Sequence, residues 1–342
     1  MLPALIITDD ACRRHATGYG HPERPERLEA ALRGVEAWGG PLEFETAPPA
    51  TVGQLTLVHS ASHVDYIERF CESGGGSLDA DTRAVSASWD AALHAAGAGP
   101  AAAEAIDGGR ARFAFLPVRP PGHHARPDQA MGFCLFNNVA ILAEHLTRRG
   151  NRVAIVDWDV HHGNGTQEAF EARPDILYVS LHEFPQYPGS GWTDETGVGA
   201  GAGTTVNIPL PAGARGDAYA AAFDRIVDPV LSGFRPDHVL ISCGFDAHRL
   251  DPLANLCLET DDYSWMAARL AAHGTPVIAV LEGGYDLRAV EESTSSLLAG
   301  LHGAAPAPSP GSPRAAFGLI EMAVRAVGRH WDEVQAGDRA DR

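Results

Sequence analysis

Eight short strand-like runs recur along this chain, and helical patterns fill most of the intervals between them. The runs cover residues 4–8, 43–46, 112–117, 152–158, 176–181, 204–210, 238–243 and 276–281. Most contain an unbroken apolar stretch, such as Val153–Val156 and Val277–Leu281, which is the pattern of strands buried on both faces. The helical patterns are Glu26–Trp38, Ser86–Ile106, Asn137–Arg149, Asp217–Leu231, Asp261–His273 and Leu287–Leu301. Parallel strands need crossover connections, usually helices. The alternation therefore predicts an α/β fold, an eight-stranded parallel sheet with helices on both faces. Residues 303–313 form a Pro-rich connector to a last helix over Ala315–Trp331, and the polar tail 332–342 is expected to fray. No long linker or internal repeat interrupts the series, so residues 1–342 are expected to form a single domain.

Charge narrows the choice of partner. The chain has 26 Lys and Arg against 44 Asp and Glu, a formal net charge of −18. Nucleic acid and anionic membrane surfaces repel such a chain, whereas a cationic substrate is compatible with it. Cys12, Cys71, Cys134, Cys243 and Cys257 are scattered, with no CxxC pair, as expected of reduced thiols. No apolar run reaches the roughly 18 residues of a membrane span, and the start lacks the basic region of a secretory signal. A soluble cytoplasmic protein is the expectation.

The fourth run ends unusually. After Val153–Val156 come Asp157-Trp158-Asp159-Val160-His161-His162-Gly163-Asn164-Gly165. Side chains two apart share one face of a strand. Asp157, Asp159 and His161 are thus expected to point one way from the carboxyl end of the sheet, where open α/β sheets keep ligands. Acidic residues also follow strands as plain turn formers or helix caps. A histidine in the same register favours a metal, and oxygen plus imidazole donors suit zinc. Four more segments set polar residues and glycine at strand ends or in loops. They are Arg119-Pro120-Pro121-Gly122-His123-His124-Ala125, Met131–Asn138, Ser242–His248 with Asp251-Pro252-Leu253, and Leu281-Glu282-Gly283-Gly284-Tyr285-Asp286. Asn137 or Asn138 can cap the following helix.

Taken in order, these segments resemble the zinc-dependent histone deacetylase-like amidohydrolases, in the class II and bacterial branch related to acetylpolyamine amidohydrolases. The segments His21–Leu28, Val58–Ile67 and Ser180–Gly191 fit as well. The resemblance spans roughly residues 15–302 and implies the arginase/deacetylase fold. It implies zinc held by Asp159, His161 and Asp246, with His124 as general base and His123 as its electrostatic partner. Asp157 would orient His123, Asn164 would orient His124, and Tyr285 would hydrogen-bond the developing oxyanion. Asn164, where class I relatives have Asp, matches class II and should leave His124 less basic. A potassium ion is implied at Asp157, the carbonyls of Asp159, His161 and Leu181, and the Ser180 hydroxyl. Iron in place of zinc remains open.

An arginase-like pair of manganese ions would need further carboxylates, and Gly163 and His248 stand where they would be. His162 and His248 are expected to be structural. For the substrate, Gly132, Phe133 and Tyr187 resemble the lining of the family's acyl-lysine tunnel. Leu253 stands where polyamine-selective relatives carry a glutamate. This favours an acylated lysine over an acetylated small amine such as an acetylpolyamine. No long insertion is seen over residues 72–90, where Glu72–Gly76 reads as a short flexible turn. A catalytically silent binding protein on the same fold is the contrasting reading, and oligomerisation is left open.

Overall fold

The computed structural model of the chain describes residues 2–334. Its strands are β1 (Ala4–Thr8), β2 (Leu42–Thr46), β3 (Gly75–Ser77), β4 (Arg83–Val85), β5 (Phe113–Leu116), β6 (Val153–Asp157), β7 (Ile176–Glu183), β8 (Thr205–Leu210), β9 (His238–Cys243) and β10 (Val277–Leu281). Eight of them form one sheet in the order β2-β1-β5-β10-β9-β6-β7-β8. Every pairing in it is parallel.

The two-residue period of a strand divides the core. Ala154 and Val156 of β6, Val239 and Ile241 of β9, and Val277 and Ala279 of β10 face helices at residues 26–38, 216–234, 260–272, 287–301 and 314–327. Their neighbours Val153, Ile155, Leu240, Ile278 and Val280 face the helices Ser88–Asp107 and Asn138–Thr147. Each such Val, Leu or Ile side chain, fully buried, contributes about 1.5–3 kcal/mol relative to exposure. Edge strand β2 is only half-buried, and its Glu43 and Glu45 pair with Arg110. Charge on an edge strand discourages pairing with another chain.

Several elements differ from the sequence reading. Gly75 and Gly76 are not a bare turn: they open β3, which pairs antiparallel with β4. The segment 217–231 is not one regular helix, because a π-helical turn at Phe223–Val227 separates two α-helical segments. Two helices were not anticipated: Ala61–Glu72, although Val64, Ile67 and Cys71 recur at helical spacing on its buried face, and Asn164–Phe170, which has no clear apolar periodicity. β6 stops at Asp157, so the shared-face rule does not extend to Asp159 and His161, which lie in the turn beyond it. In the polar tail, Val334 packs into the core, and residues 335–342 lie outside the described residues. Among the described residues no helix is long and apolar enough to cross a membrane. All five cysteines are free thiols.

Candidate active site

Four adjacent central strands, β5, β10, β9 and β6, each lead at the carboxyl end into a loop that carries chemistry. The β6 turn supplies Asp159 and His161, and the β9 loop supplies Asp246. Their donor atoms lie within 4.8 Å of one another, and all three residues are buried. His161 presents Nδ1, 3.1 Å from Asp159 Oδ1 and 3.3 Å from Asp246 Oδ2. The other carboxylate oxygens are held by main chain. Gly283 N–H donates to Asp159 Oδ2 at 2.7 Å, and Val160 N–H to Asp246 Oδ1 at 2.9 Å. Asp246 Oδ2 is buried without a hydrogen-bond partner. Such an atom is costly unless something compensates it, and a cation among two carboxylates and an imidazole does so. Burial opposes charge on His161, yet Asp159 and Asp246 outweigh it and raise its pKa to about 10. The cluster therefore carries the electrostatics of a cation site even with a proton in the cation's place.

The β5 loop supplies the tandem histidines, whose ring centroids are 4.0 Å apart. His123 Nδ1 donates to Asp157 Oδ2 at 3.1 Å. Against the effect of burial, Asp159 and Asp157 raise its pKa to about 10. His124 Nδ1 donates to Asn164 Oδ1 at 2.8 Å, with the Asn164 amide oriented by Nδ2 toward Met131 Sδ. Burial and then the neighbouring His123 and His161 hold His124 well below the usual histidine range. His124 is thus neutral, with Nε2 left to accept a proton. The β10 loop supplies Tyr285. Burial holds its phenol well above the usual range, keeping it a donor.

One cavity of about 250 Å³ joins these groups; His124, Gly132, Phe133, His161, Tyr187, Leu253 and Tyr285 line it. Tyr187 meets His124 edge-on and Phe133 meets Tyr285 edge-on. Gly132 crosses directly over His124: a Cβ there would sit 2.4 Å from the ring, and its φ of +56° also favours glycine. Phe133 follows at φ 68°, a rare backbone state for a bulky residue, with its N–H donating to Thr82 Oγ1 at 3.1 Å.

His162 and His248 turn away from the cluster. His162 uses both ring nitrogens on Ser190 and Gln167. His248 pairs with the Leu250 amide and Thr260. Among the described residues the Asp159, His161 and Asp246 group is the one cluster of its kind. The parallel register sets Asp157 opposite Ser180, whose hydroxyl meets His182 Nδ1 at 2.9 Å. Asn137, rather than Asn138, caps the next helix by accepting from Ala140 N–H at 3.0 Å. Asn138 instead donates to Pro120 O at 3.1 Å, tying that helix to the histidine loop.

Several residues of the site had no role assigned from sequence. Tyr178 donates to Asp157 Oδ2 at 3.1 Å; inside an apolar strand it gave no signal. Asp81, from the turn between β3 and β4, lines the mouth of the cavity beside Gln186. Arg27 is fully buried, donates to the carbonyls of Glu282 and Gly284, and lies 4.9 Å from the Tyr285 ring centroid. Glu23 joins Arg27 to Arg119. Asp251 accepts from Tyr285 N–H at 2.6 Å.

Comparison with known proteins agrees with this geometry. Residues 21–301 match the family model of the histone deacetylase domain. A probable deacetylase of Methanothermobacter thermautotrophicus is 42% identical over 299 residues, 86% of this chain and 89% of that protein. A histone deacetylase-like amidohydrolase of Pseudomonas aeruginosa is 42% identical over 278 residues, covering 78% of this chain and 73% of that protein. The crystal structure of the HDA15 HD domain superposes with a TM-score of 0.92 at 35% identity, covering 99% of this chain and 98% of that one.

Proposed function

The chain belongs to the histone deacetylase family, and from that premise we propose that it is a zinc-dependent hydrolase that removes acetyl or other acyl groups from N-acyl-lysine-like amines. The observation that carries the reading is the buried Asp159–His161–Asp246 cluster set at a cavity shared with His124 and Tyr285. Asp159, His161 and Asp246 would hold the metal: their mixed oxygen and nitrogen donors, with room for a further ligand, fit a catalytic zinc. When bound, zinc supplies Lewis acidity, polarising the acyl carbonyl and making water a better nucleophile.

The chain's own residues do the rest. His124 accepts a proton at Nε2 from the attacking water and returns it to the departing amine. His123, oriented by Asp157, serves as the electrostatic partner of His124, and Asn164 keeps His124 in the tautomer that leaves Nε2 free. The Tyr285 hydroxyl donates to the carbonyl oxygen as it gains charge. Gly132, Phe133, Tyr187 and Leu253 enclose an apolar acyl-lysine stem. The oxygens of Asp157, Ser180, Leu181, Asp159 and His161 are where a structural potassium ion would bind. No nucleic-acid or membrane partner is proposed.

A second reading, an acetylpolyamine amidohydrolase, draws on one observation. Asp81 at the cavity mouth offers the counter-charge that Leu253 lacks. A kcat/KM panel of acetyl-lysine peptides against acetylputrescine, acetylcadaverine and acetylspermidine, run with zinc analysis, decides between them. Preference for the peptides supports the first reading, and preference for the polyamines overturns it. Bound zinc with no turnover of any of these would leave a silent binding protein.

A further inference from the structure

Glu282 is fully buried at the end of β10, and the hydrolytic steps above give it no part. Its carboxylate nevertheless reaches across to the loop after β5. Gly122 N–H donates to Glu282 Oε2 at 2.6 Å and His123 N–H donates to the same oxygen at 3.1 Å. The other oxygen faces Ser242 Oγ at 3.5 Å. The His123 carbonyl is taken from the opposite side by the N–H groups of Gly165 and Thr166, at 3.1 and 3.2 Å. The turn that carries both histidines is thus gripped from two sides, and Glu282 is the side-chain half of the grip. The same short segment touches two other parts of the site. Gly283 N–H holds Asp159 Oδ2 at 2.7 Å, and Arg27 holds the carbonyls of Glu282 and Gly284.

We infer that Glu282 is a positioning residue: by accepting both main-chain N–H groups of Gly122 and His123 it fixes the tandem histidines in register with the metal cluster and the Tyr285 loop. The role rests on the proposed hydrolysis and acts through hydrogen-bond geometry. A misplacement of about 1 Å in such an array costs on the order of 100-fold in rate.

Two substitutions separate geometry from charge. Glu282→Gln removes the charge but can set its carbonyl oxygen at the Oε2 position and its NH₂ toward the Ser242 hydroxyl. Glu282→Asp keeps the charge and withdraws the acceptor by one methylene. With zinc-loaded full-length protein and an acetyl-lysine amide, Glu282→Gln is expected to hold kcat within about tenfold of wild type. Glu282→Asp is expected to lose about 100-fold in kcat, with KM and zinc content unchanged. Hydrogen exchange of the Gly122 and His123 amides in metal-free protein gives a readout free of turnover. Both amides should stay protected in wild type and Glu282→Gln, and exchange at least about tenfold faster in Glu282→Asp. A wild-type rate in Glu282→Asp, or a loss in Glu282→Gln as large as in Glu282→Asp, overturns the inference. If wild type turns over no acyl amine while the exchange pattern holds, the proposed function fails and the grip on the loop stands.

Discussion

Gly283→Ala tests the metal cluster with a single methyl group. Gly283 has no left-handed φ, so alanine meets no backbone strain there. Its Cβ would lie 1.9 Å from Asp246 Oδ2 and 2.6 Å from Asp159 Oδ2, where ordinary contact begins at 3.4 Å. The Asp246 oxygen must therefore retreat by about 1.5 Å, and zinc ligands tolerate only about 0.2 Å. Misplacing a group that merely supports a ligand typically costs about 10- to 100-fold in metal affinity. Here two ligand oxygens themselves are pushed, so the expected loss is at least about 100-fold. Overpacking of this size costs about 1–3 kcal/mol of stability, which leaves a folded chain to measure. The assay is zinc competition against a chelator, with metal content by mass spectrometry and folding by circular dichroism. A folded Gly283→Ala protein that binds one zinc with wild-type affinity would refute the assignment of Asp159 and Asp246 as ligands.

Three further outcomes are expected. Tyr285→Phe should keep zinc and KM while kcat falls about 100- to 1,000-fold, the usual worth of one oxyanion donor; steady-state kinetics with metal analysis checks it, and an unimpaired rate would remove Tyr285 from the chemistry. Asn164→Asp would place a carboxylate where Asn164 Oδ1 now lies, 2.8 Å from His124 Nδ1. The added charge raises the His124 pKa, and because the base acts when neutral, the acid limb of kcat/KM should move to higher pH by about 1 unit or more; a pH profile that does not move counts against His124 as the base. Burial raises the Glu23 pKa, but Arg119 and His15 outweigh it and hold this carboxyl well below its ordinary 4.5. A depressed carboxyl stabilises the fold above the unfolded value and loses that contribution as pH falls below about 4.5. Glu23→Gln should therefore cost about 3–5 kcal/mol at pH 7, and urea titrations should show its gap to wild type narrowing as the pH is lowered below that value; a constant gap would show that the charge of Glu23 does not stabilise the fold.

Strands were legible because burial on both faces demands continuous apolar runs: Val153–Val156 in β6, Val239–Ile241 in β9 and all of β10. β3 was not, since Gly74-Gly75-Gly76 has the composition of a turn and pairs only by the accident of what lies opposite. Helix Asn164–Phe170 hid for a related reason: its first turn, Asn164-Gly165-Thr166-Gln167, is chosen to fit beneath the histidine loop rather than to bury an apolar stripe. In the site, groups that touch one another through side chains bearing obvious chemistry could be named from spacing and resemblance. Tyr178 could not, because one hydroxyl in an apolar strand looks like core until Asp157 is seen beside it. Glu282 lay in a recognised motif, yet its partners are two amide groups, and main-chain donors leave no trace in a sequence.

The order of strands in the sheet has a consequence for how the site comes into being. The histidine loop follows β5 and the Asp159–His161 turn follows β6, yet these strands are not neighbours: β10 and β9 lie between them. Both intervening strands are encoded after residue 237. A chain ending at residue 237 would have no strands to place between β5 and β6, and the edges they turn toward each other would lack partners and be open to pairing with other chains. The two strands that fill that space also lead into Asp246, Glu282 and Tyr285. Closing the sheet and completing the site thus depend on the same stretch of chain, so any chain cut short of Leu281 has neither.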